Sequence, residues 1–147
     1  MVYCSGACSD KGGEKKGQGE VGLAIRETIT RAVVRPPEFI NERLLKVTLN
    51  LHGRASAVSF LVAYGPTEPT RDESKKRAFW AGLDMAVKEV PKHEQLLLLM
   101  DTNARTGRRE GGALGIYGRD TRNDNGELLL AFASNHDLTL VNVFQYP

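Results

Sequence analysis

Residues 96–107 read LLLLMDTNARTG, an apolar run that ends abruptly in an acid and, two positions later, an amide. The run has the length of a strand buried on both faces, and the polar residues after Met100 favour a strand over a buried helix. Because side chains alternate along a strand, Asp101 and Asn103 are expected on the same side. A carboxylate and an amide placed together can hold a cation or orient a water beside a phosphate oxygen. The alternative is that both residues cap a turn by bonding their own backbone.

Strand and helix patterns alternate on either side of this run. Pro36 and Pro37 interrupt regular structure and mark 28–41 as a connection. Asp124 and Asn125 are the candidate N-caps of the second helix. The order strand, hairpin, helix, strand, loop, helix, strand is typical of a mixed α/β domain. The predicted elements are strands at 21–25, 44–51 (half-buried), 57–64, 96–100 and 138–144, and helices at 72–90 and from 124 to 135.

The composition is that of an ordinary globular domain without a strong electrostatic signature. The chain has 147 residues, is 41% hydrophobic, and carries 20 basic against 18 acidic residues for a net charge of +2. This balance does not by itself indicate nucleic-acid binding. Local clusters at Arg105, Arg108 and Arg109, and at Arg119 with Arg122, can contact DNA phosphates. A solvated loop of charges is an equal alternative.

The first twenty residues are rich in Gly, Lys and Ser and show no sustained periodicity. We expect a flexible segment at 1–20 and one domain at 21–147. Cys4 and Cys8 have neither the spacing of a disulfide framework nor that of a zinc site. No apolar run approaches the length of a membrane span, and no signal-peptide pattern is present. We therefore expect a soluble intracellular protein without membrane partners, with the nucleus as one candidate compartment.

Tyr64 ends a predicted strand immediately before the sequence Gly65-Pro66-Thr67. Its phenol would emerge at a strand tip, as Asp101 does, and two strand tips can converge on one cleft. A phenolic hydroxyl can donate to a phosphate without adding negative charge. The alternative is an edge tyrosine that packs on the adjoining loop.

Six stretches of the chain match known motifs in a consistent order. Residues 100–104, MDTNA, resemble a Gly-Asp-Phe-Asn-Ala motif, and residues 64–67, YGPT, resemble a Tyr-Ala-Pro-Thr signature. Further matching stretches lie at 21–26, 41–44, 125–133 and 137–144. Together they resemble the endonuclease/exonuclease/phosphatase family, specifically the apurinic-type endonuclease domain of non-LTR retrotransposon (endonuclease–reverse transcriptase) proteins. Each motif is weak alone, but their ordered combination is specific.

This resemblance implies a partial four-layer α/β/β/α sandwich of the deoxyribonuclease I-like type, with magnesium as cofactor and DNA as partner. The implied activity is phosphodiester hydrolysis. Asp101 would orient or activate the attacking water and is a candidate magnesium ligand. Asn103 and Tyr64 would bind phosphate oxygens, and Arg105 and Asn142 are candidate phosphate- or DNA-binding residues.

The chain also departs from the family pattern. Met100 replaces the usual glycine and Thr102 the usual phenylalanine. The family strands with a metal-binding glutamate would precede Val21, and its catalytic histidine motif would follow Pro147. We therefore expect the middle of such a domain, weak or absent turnover by this chain alone, and a further chain or segment that completes the sheet. His136 is expected to be an exposed residue at a helix end. The alternatives are a non-catalytic remnant that binds nucleic acid or protein, and a retroelement-derived reading frame without present function.

Overall fold

The computed structural model describes residues 2–5, 21–51, 56–67, 73–107 and 121–141. Within these ranges, the chain combines strands and helices, which confirms the mixed α/β class that the sequence pattern indicated. The strands are β1 (Val2–Ser5), β2 (Val21–Ala24), β3 (Glu38–Asn41), β4 (Leu44–Leu49), β5 (Val58–Tyr64) and β6 (Gln95–Asp101), and the helices are a 3-10 helix (Glu27–Ala32), α1 (Glu73–Lys88) and α2 (Asp124–Asn135).

The described residues fall into two compact units. The first contains the residues up to Gly65 together with Ala81–Asp101, and the second contains Pro66–Trp80 and the residues from Thr102 onward. Helix α1 therefore contributes its first half to the second unit and its second half to the first. Both sheets described below belong to the first unit.

A mixed four-stranded sheet in the order β3-β4-β5-β6 dominates the first unit. Strand β4 pairs antiparallel with both β3 and β5, whereas β6 runs parallel to β5. The predicted hairpin between β4 and β5 is confirmed, and so is the α/β class. The four-layer sandwich is compatible with this sheet and stays a prediction.

Strand β4 is buried at all six positions, so the half-buried pattern predicted for it is wrong. Its alternation of apolar and polar residues does not reflect solvent exposure, because β4 lies between β3 and β5 and both of its faces are covered. The buried Lys46 places its Nζ 2.7 Å from an oxygen of Glu38. On the opposite face, the apolar side chains of β4 join a core cluster with β2. That cluster comprises Val21, Ile25, Leu45, Val47 and Leu49.

Strand β6 is confirmed, but the prediction that both of its faces are buried is wrong. Exposure alternates strictly along it, and Leu97 and Leu99 are 49% and 44% exposed. The described elements leave this face of β6 open, and β6 is also the edge strand of the sheet in the described part of the chain. A continuous run of leucines indicates apolar surroundings, yet here one face of the run is open. Asp101 lies on that exposed face.

Helix α1 matches the predicted amphipathic helix. In the first unit, Leu83 and Ala86 are buried, and a Cβ added at Gly82 would lie 3.5 Å from Leu44 Cδ1, so this face of the helix packs closely on β4. In the second unit, the Trp80 ring lies 5.6 Å from that of Phe132. These contacts assign the apolar face of α1 to packing.

Helix α2 is also confirmed, but neither predicted N-cap is correct. Asn123 caps the helix, because its side chain accepts a hydrogen bond from the Gly126 backbone N–H. Asn125 is fully buried and donates its Nδ2 to the Pro66 carbonyl at 2.8 Å. His136 is only half exposed, because its ring packs 4.6 Å from that of Phe132.

Several predicted segments have a different secondary structure, and several predicted residues lie outside the described ranges. Residues 2–5 form β1, antiparallel to β2, within the stretch for which the sequence pattern indicated no regular structure. The 3-10 helix and β3 occupy much of the predicted connection 28–41. No strand forms over 138–141, the described part of the predicted strand 138–144. Asn142, Arg108, Arg109 and Arg119 lie outside the described residues. None of the described helices is long and apolar enough to cross a membrane.

Candidate functional site

Tyr64 and Asp101 are the last residues of two adjacent parallel strands. Their Cα atoms are register partners in the ladder between β5 and β6. The ladder continues one residue further, since the Gly65 N–H donates to the Asp101 carbonyl at 2.7 Å. Register partners project to the same face of a sheet, so the two side chains share one face at its carboxyl edge. The sequence-based expectation that these two strand tips converge is confirmed.

Arg43 completes this edge of the first unit, and sequence reasoning gave it no role. Its guanidinium carbon lies 5.5 Å from the centre of the Tyr64 ring. Its Nη1 donates to the carbonyls of Tyr64 and Gly65 at 3.3 and 3.4 Å. The Tyr64 N–H donates in turn to the Arg43 carbonyl at 3.1 Å. An arginine in the matched motif at 41–44 was the available signal.

The turn before Arg43 fixes where its side chain begins. The Asn41 side-chain oxygen accepts from the Arg43 N–H at 2.8 Å, which is a local Asx-type bond between residues two apart. This bond closes the turn between β3 and β4. The Arg43 side chain therefore starts from a constrained backbone and not from a loop.

Asn103 belongs to the second unit, and the alternation that predicted its direction does not reach it. Strand β6 ends at Asp101, and the backbone of Asn103 is left-handed, with φ of 51°. Asparagine tolerates this conformation better than most residues because its short polar side chain bonds locally. The same-side argument for Asp101 and Asn103 therefore does not apply, because it holds only within a continuous strand.

The Asn123 side chain fastens the backbone that carries Asn103. Its Oδ1 accepts from the N–H groups of Arg105 and Gly126 at 2.8 and 2.9 Å. Its Nδ2 donates to the Asn103 carbonyl at 3.1 Å. The Asn123 N–H donates to the Arg105 carbonyl, also at 3.1 Å. One asparagine thus caps α2 and holds residues 103–105 against the first turn of that helix.

Gly126 makes this close approach possible. A Cβ at this position would lie 1.9 Å from the Arg105 carbonyl oxygen. The role of Asn123 and Gly126 was missed in the sequence, where the run Asn-Asp-Asn-Gly at 123–126 indicated a helix start but not what it holds. The Arg105 side chain itself is exposed, which suits either phosphate contact or solvation.

Asp101 alone does not make a metal site. Among the described residues, no group of three or more His, Cys, Asp or Glu side chains is placed to hold a metal ion. Magnesium is commonly bound by one or two carboxylates together with substrate phosphates. Asp101 can supply one such ligand, but the described residues by themselves form no complete magnesium site.

A second polar cluster lies at the opposite end of β5, and its side chains bond to one another. The hydroxyls of Thr48 and Ser59 are 2.8 Å apart, and the Ser59 hydroxyl donates to Glu94 at 2.6 Å. Arg35 donates to Thr48 and forms an ion pair with Glu94. Burial acts to raise the pKa of Glu94, but the Ser59 hydrogen bond and the Arg35 guanidinium outweigh it, so the pKa is lowered. The carboxylate is therefore held charged inside the first unit.

Comparison with known proteins finds relatives that share one name. No family model matches the chain. The chain is similar to Craniofacial development protein 2. The cattle (Bos taurus) protein is 26% identical over 129 residues, which is 86% of this chain and 21% of the relative. The protein of Tragulus javanicus is also 26% identical over 129 residues, or 22% of its length. The chain thus spans about a fifth of the length of these curated relatives.

Proposed function

We propose that this chain is part of a magnesium-dependent phosphodiesterase domain that acts on DNA, of the retrotransposon endonuclease type that its motifs resemble. One observation carries the proposal. Tyr64 and Asp101, each from a different matched motif, are register partners at the carboxyl edge of parallel strands. Sites that act on ligands commonly lie outside the carboxyl ends of parallel strands in α/β sheets.

The chemistry assigned to this edge follows from the two side chains. Asp101 is exposed, so its carboxylate can accept a proton or a hydrogen bond from an attacking water. The Tyr64 phenol donates a hydrogen bond to a phosphate oxygen without repelling the anion. Asn103, two residues beyond Asp101 in the chain, is proposed to bind a second phosphate oxygen. Arg105 and Asn142 are proposed to bind the DNA backbone.

Magnesium enters this proposal through the resemblance. When bound, it would supply positive charge beside the phosphate. Among the described residues, Asp101 is the one proposed to bind the magnesium ion. The same proposal places the activity inside the cell, with the nucleus as a candidate compartment. It also includes a further chain or segment that completes the sheet at β6. The position of β6 at the edge of the sheet in the described part of the chain supports the completion of the sheet.

The test is nicking of supercoiled plasmid by the purified chain with magnesium, with and without chelator. We expect chelator-sensitive nicking that Asp101→Asn abolishes and Tyr64→Phe lowers about a hundredfold, as the loss of a transition-state hydrogen bond typically does. Asp84→Asn is the matched control, because it removes a carboxylate from α1 that pairs with Lys88. Nicking that survives Asp101→Asn would sink the catalytic assignment.

A second candidate function is a non-catalytic module that binds nucleic acid. It is favoured by the lack of a metal-binding group of side chains among the described residues. Binding of a DNA duplex that weakens with salt, without cleavage at any magnesium concentration, would establish it. Absence of binding at low salt would remove it.

A further inference from the structure

Arg43 holds a charge that no described acid neutralises. Three other basic side chains of the first unit pair with carboxylates: Arg35 with Glu94, Lys46 with Glu38 and Lys88 with Asp84. Arg43 contacts the Tyr64 ring and two backbone carbonyls instead. Carbonyl oxygens and an aromatic face orient a guanidinium without cancelling its formal charge. The carboxyl edge of β5 and β6 therefore carries a fixed positive group.

That position is where a phosphodiester would need a cation. The Asp101 carboxylate and a DNA phosphate are both anions, and like charges a few ångströms apart repel. Arg43 stacks on Tyr64, whose register partner is Asp101. A cation beside Tyr64 attracts the phosphate toward the phenol and offsets the repulsion from the carboxylate.

The guanidinium also has donors to spare. Arginine carries five N–H donors in a planar fork that matches the oxygens of a phosphate. The contacts within the described residues use Nη1, at 3.3 and 3.4 Å from two carbonyls. Those contacts hold the fork in place, so less rotamer freedom is lost when a ligand binds.

We propose that Arg43 binds a phosphate of the DNA backbone next to the Tyr64 phenol. This assignment rests on the proposed function, because it places the substrate at the same strand edge. The contact reads no base and adds affinity independent of sequence. It names a binding residue that the matched motifs alone did not.

The test is equilibrium binding of the full chain to a fluorescein-labelled DNA duplex, in chelator, over a series of NaCl concentrations. Loss of one phosphate contact lowers the slope of log affinity against log salt by about 0.9. We expect Arg43→Gln to lower the slope by about that amount and to weaken low-salt binding by about tenfold. Arg31→Gln is the matched control, since it removes an exposed arginine from the 3-10 helix of the same unit.

Arg43→Lys separates the binding role from a purely structural one. Lysine keeps the charge but lacks the planar guanidinium that lies against the Tyr64 ring and reaches the two carbonyls through Nη1. We expect Arg43→Lys to melt at a lower temperature than the wild type while it keeps the wild-type salt slope. If Arg43 only braced the carbonyls, both Arg43 variants would lose thermal stability and neither would change the slope.

The outcomes separate this proposal from the catalytic one. Equal slopes for Arg43→Gln and Arg31→Gln, a lowered slope in folded Arg43→Lys, or no wild-type binding at low salt would overturn the Arg43 assignment. Plasmid nicking with equal slopes would leave the catalytic proposal standing without it. A slope reduced only in Arg43→Gln, in a chain that does not nick, would support the phosphate contact in a binding module.

Discussion

Gly126→Ala is expected to destabilise the protein, although helix propensity alone predicts that it stabilises. In an unconstrained helix, replacing glycine by alanine stabilises by up to about 1 kcal/mol. At Gly126 the new Cβ would lie 1.9 Å from the Arg105 carbonyl oxygen and 2.7 Å from its carbon. Both of these are backbone atoms, so no flexible side chain can move aside. The first turn of α2 and residues 103–105 must separate by about 1 Å or more.

The magnitude follows from the bonds that this separation breaks. Asn123 and Arg105 exchange two hydrogen bonds, at 2.8 and 3.1 Å, which would stretch beyond bonding distance. Each is worth about 1 kcal/mol, and residual strain from an oversized side chain adds about 1 kcal/mol. After the gain in helix propensity, we expect a net loss of about 2 kcal/mol, or about 4–8 °C in melting temperature.

The assay is urea unfolding at 25 °C, followed by circular dichroism and by Trp80 fluorescence to check that the two transitions coincide. Gly82→Ala is the matched control, because it also adds one methyl group inside a helix. Its Cβ would lie 3.5 Å from Leu44 Cδ1, an ordinary van der Waals contact. We expect Gly82→Ala to be neutral or stabilising by up to about 1 kcal/mol.

The contact argument is refuted if Gly126→Ala is as stable as the wild type or more stable. That result would mean that the backbone of residues 103–105 does not press on the first turn of α2. A loss of similar size in both glycine variants would instead point to a general cost of extra volume in these helices.

Two further predictions concern the first unit. Because the pKa of Glu94 is lowered on folding, its carboxylate stabilises the fold above its unfolded pKa of about 4.3, and that contribution is lost as pH falls through the lower folded pKa. Glu94→Gln should lower the free energy of unfolding by about 1–3 kcal/mol at pH 7 and flatten its fall below about pH 5. The control Glu89→Gln removes an exposed carboxylate and should change the free energy of unfolding by no more than about 0.5 kcal/mol at any of these pH values. Equal pH dependence of the free energy of unfolding in the two variants would contradict this prediction. Leu61→Ala removes a fully buried side chain and should cost about 2–5 kcal/mol in urea unfolding, whereas Leu97→Ala, which is 49% exposed, should cost less than about 1 kcal/mol. A larger loss at Leu97 would show that the exposed face of β6 is covered in solution.

The two strand tips illustrate what sequence reasoning can reach. Each strand ends in a polar residue directly after an apolar run, and parallel neighbours bring such ends together. The sequence therefore indicated that the strand tips at Tyr64 and Asp101 can converge, whereas their pairing as register partners of parallel strands is seen only in the structure. Arg43 could not, since its approach to the Tyr64 ring depends on the antiparallel register of β4 and β5 and on the turn at Asn41.

The N-cap of α2 shows the opposite limit. Asn123, Asp124 and Asn125 are equally good caps by residue type. Asn123 is the N-cap because its side chain also accepts a hydrogen bond from the Arg105 backbone. Asn125 is instead buried and donates to the Pro66 carbonyl. These partners lie far apart in sequence, so no local pattern could identify them.

By itself, the sequence determined helices α1 and α2 and strands β2, β4, β5 and β6, because their signals are local: apolar periodicity and capping residues act within one or two turns. It also determined which polar residues follow the strands. It did not determine β1, β3 or the 3-10 helix. Only the tertiary structure decided which faces are covered. Strand β4, with its polar alternation, is fully buried, and the leucine-rich β6 is half exposed. Burial depends on a strand's neighbours in the sheet, and those neighbours are set by pairings between residues that are distant in the chain.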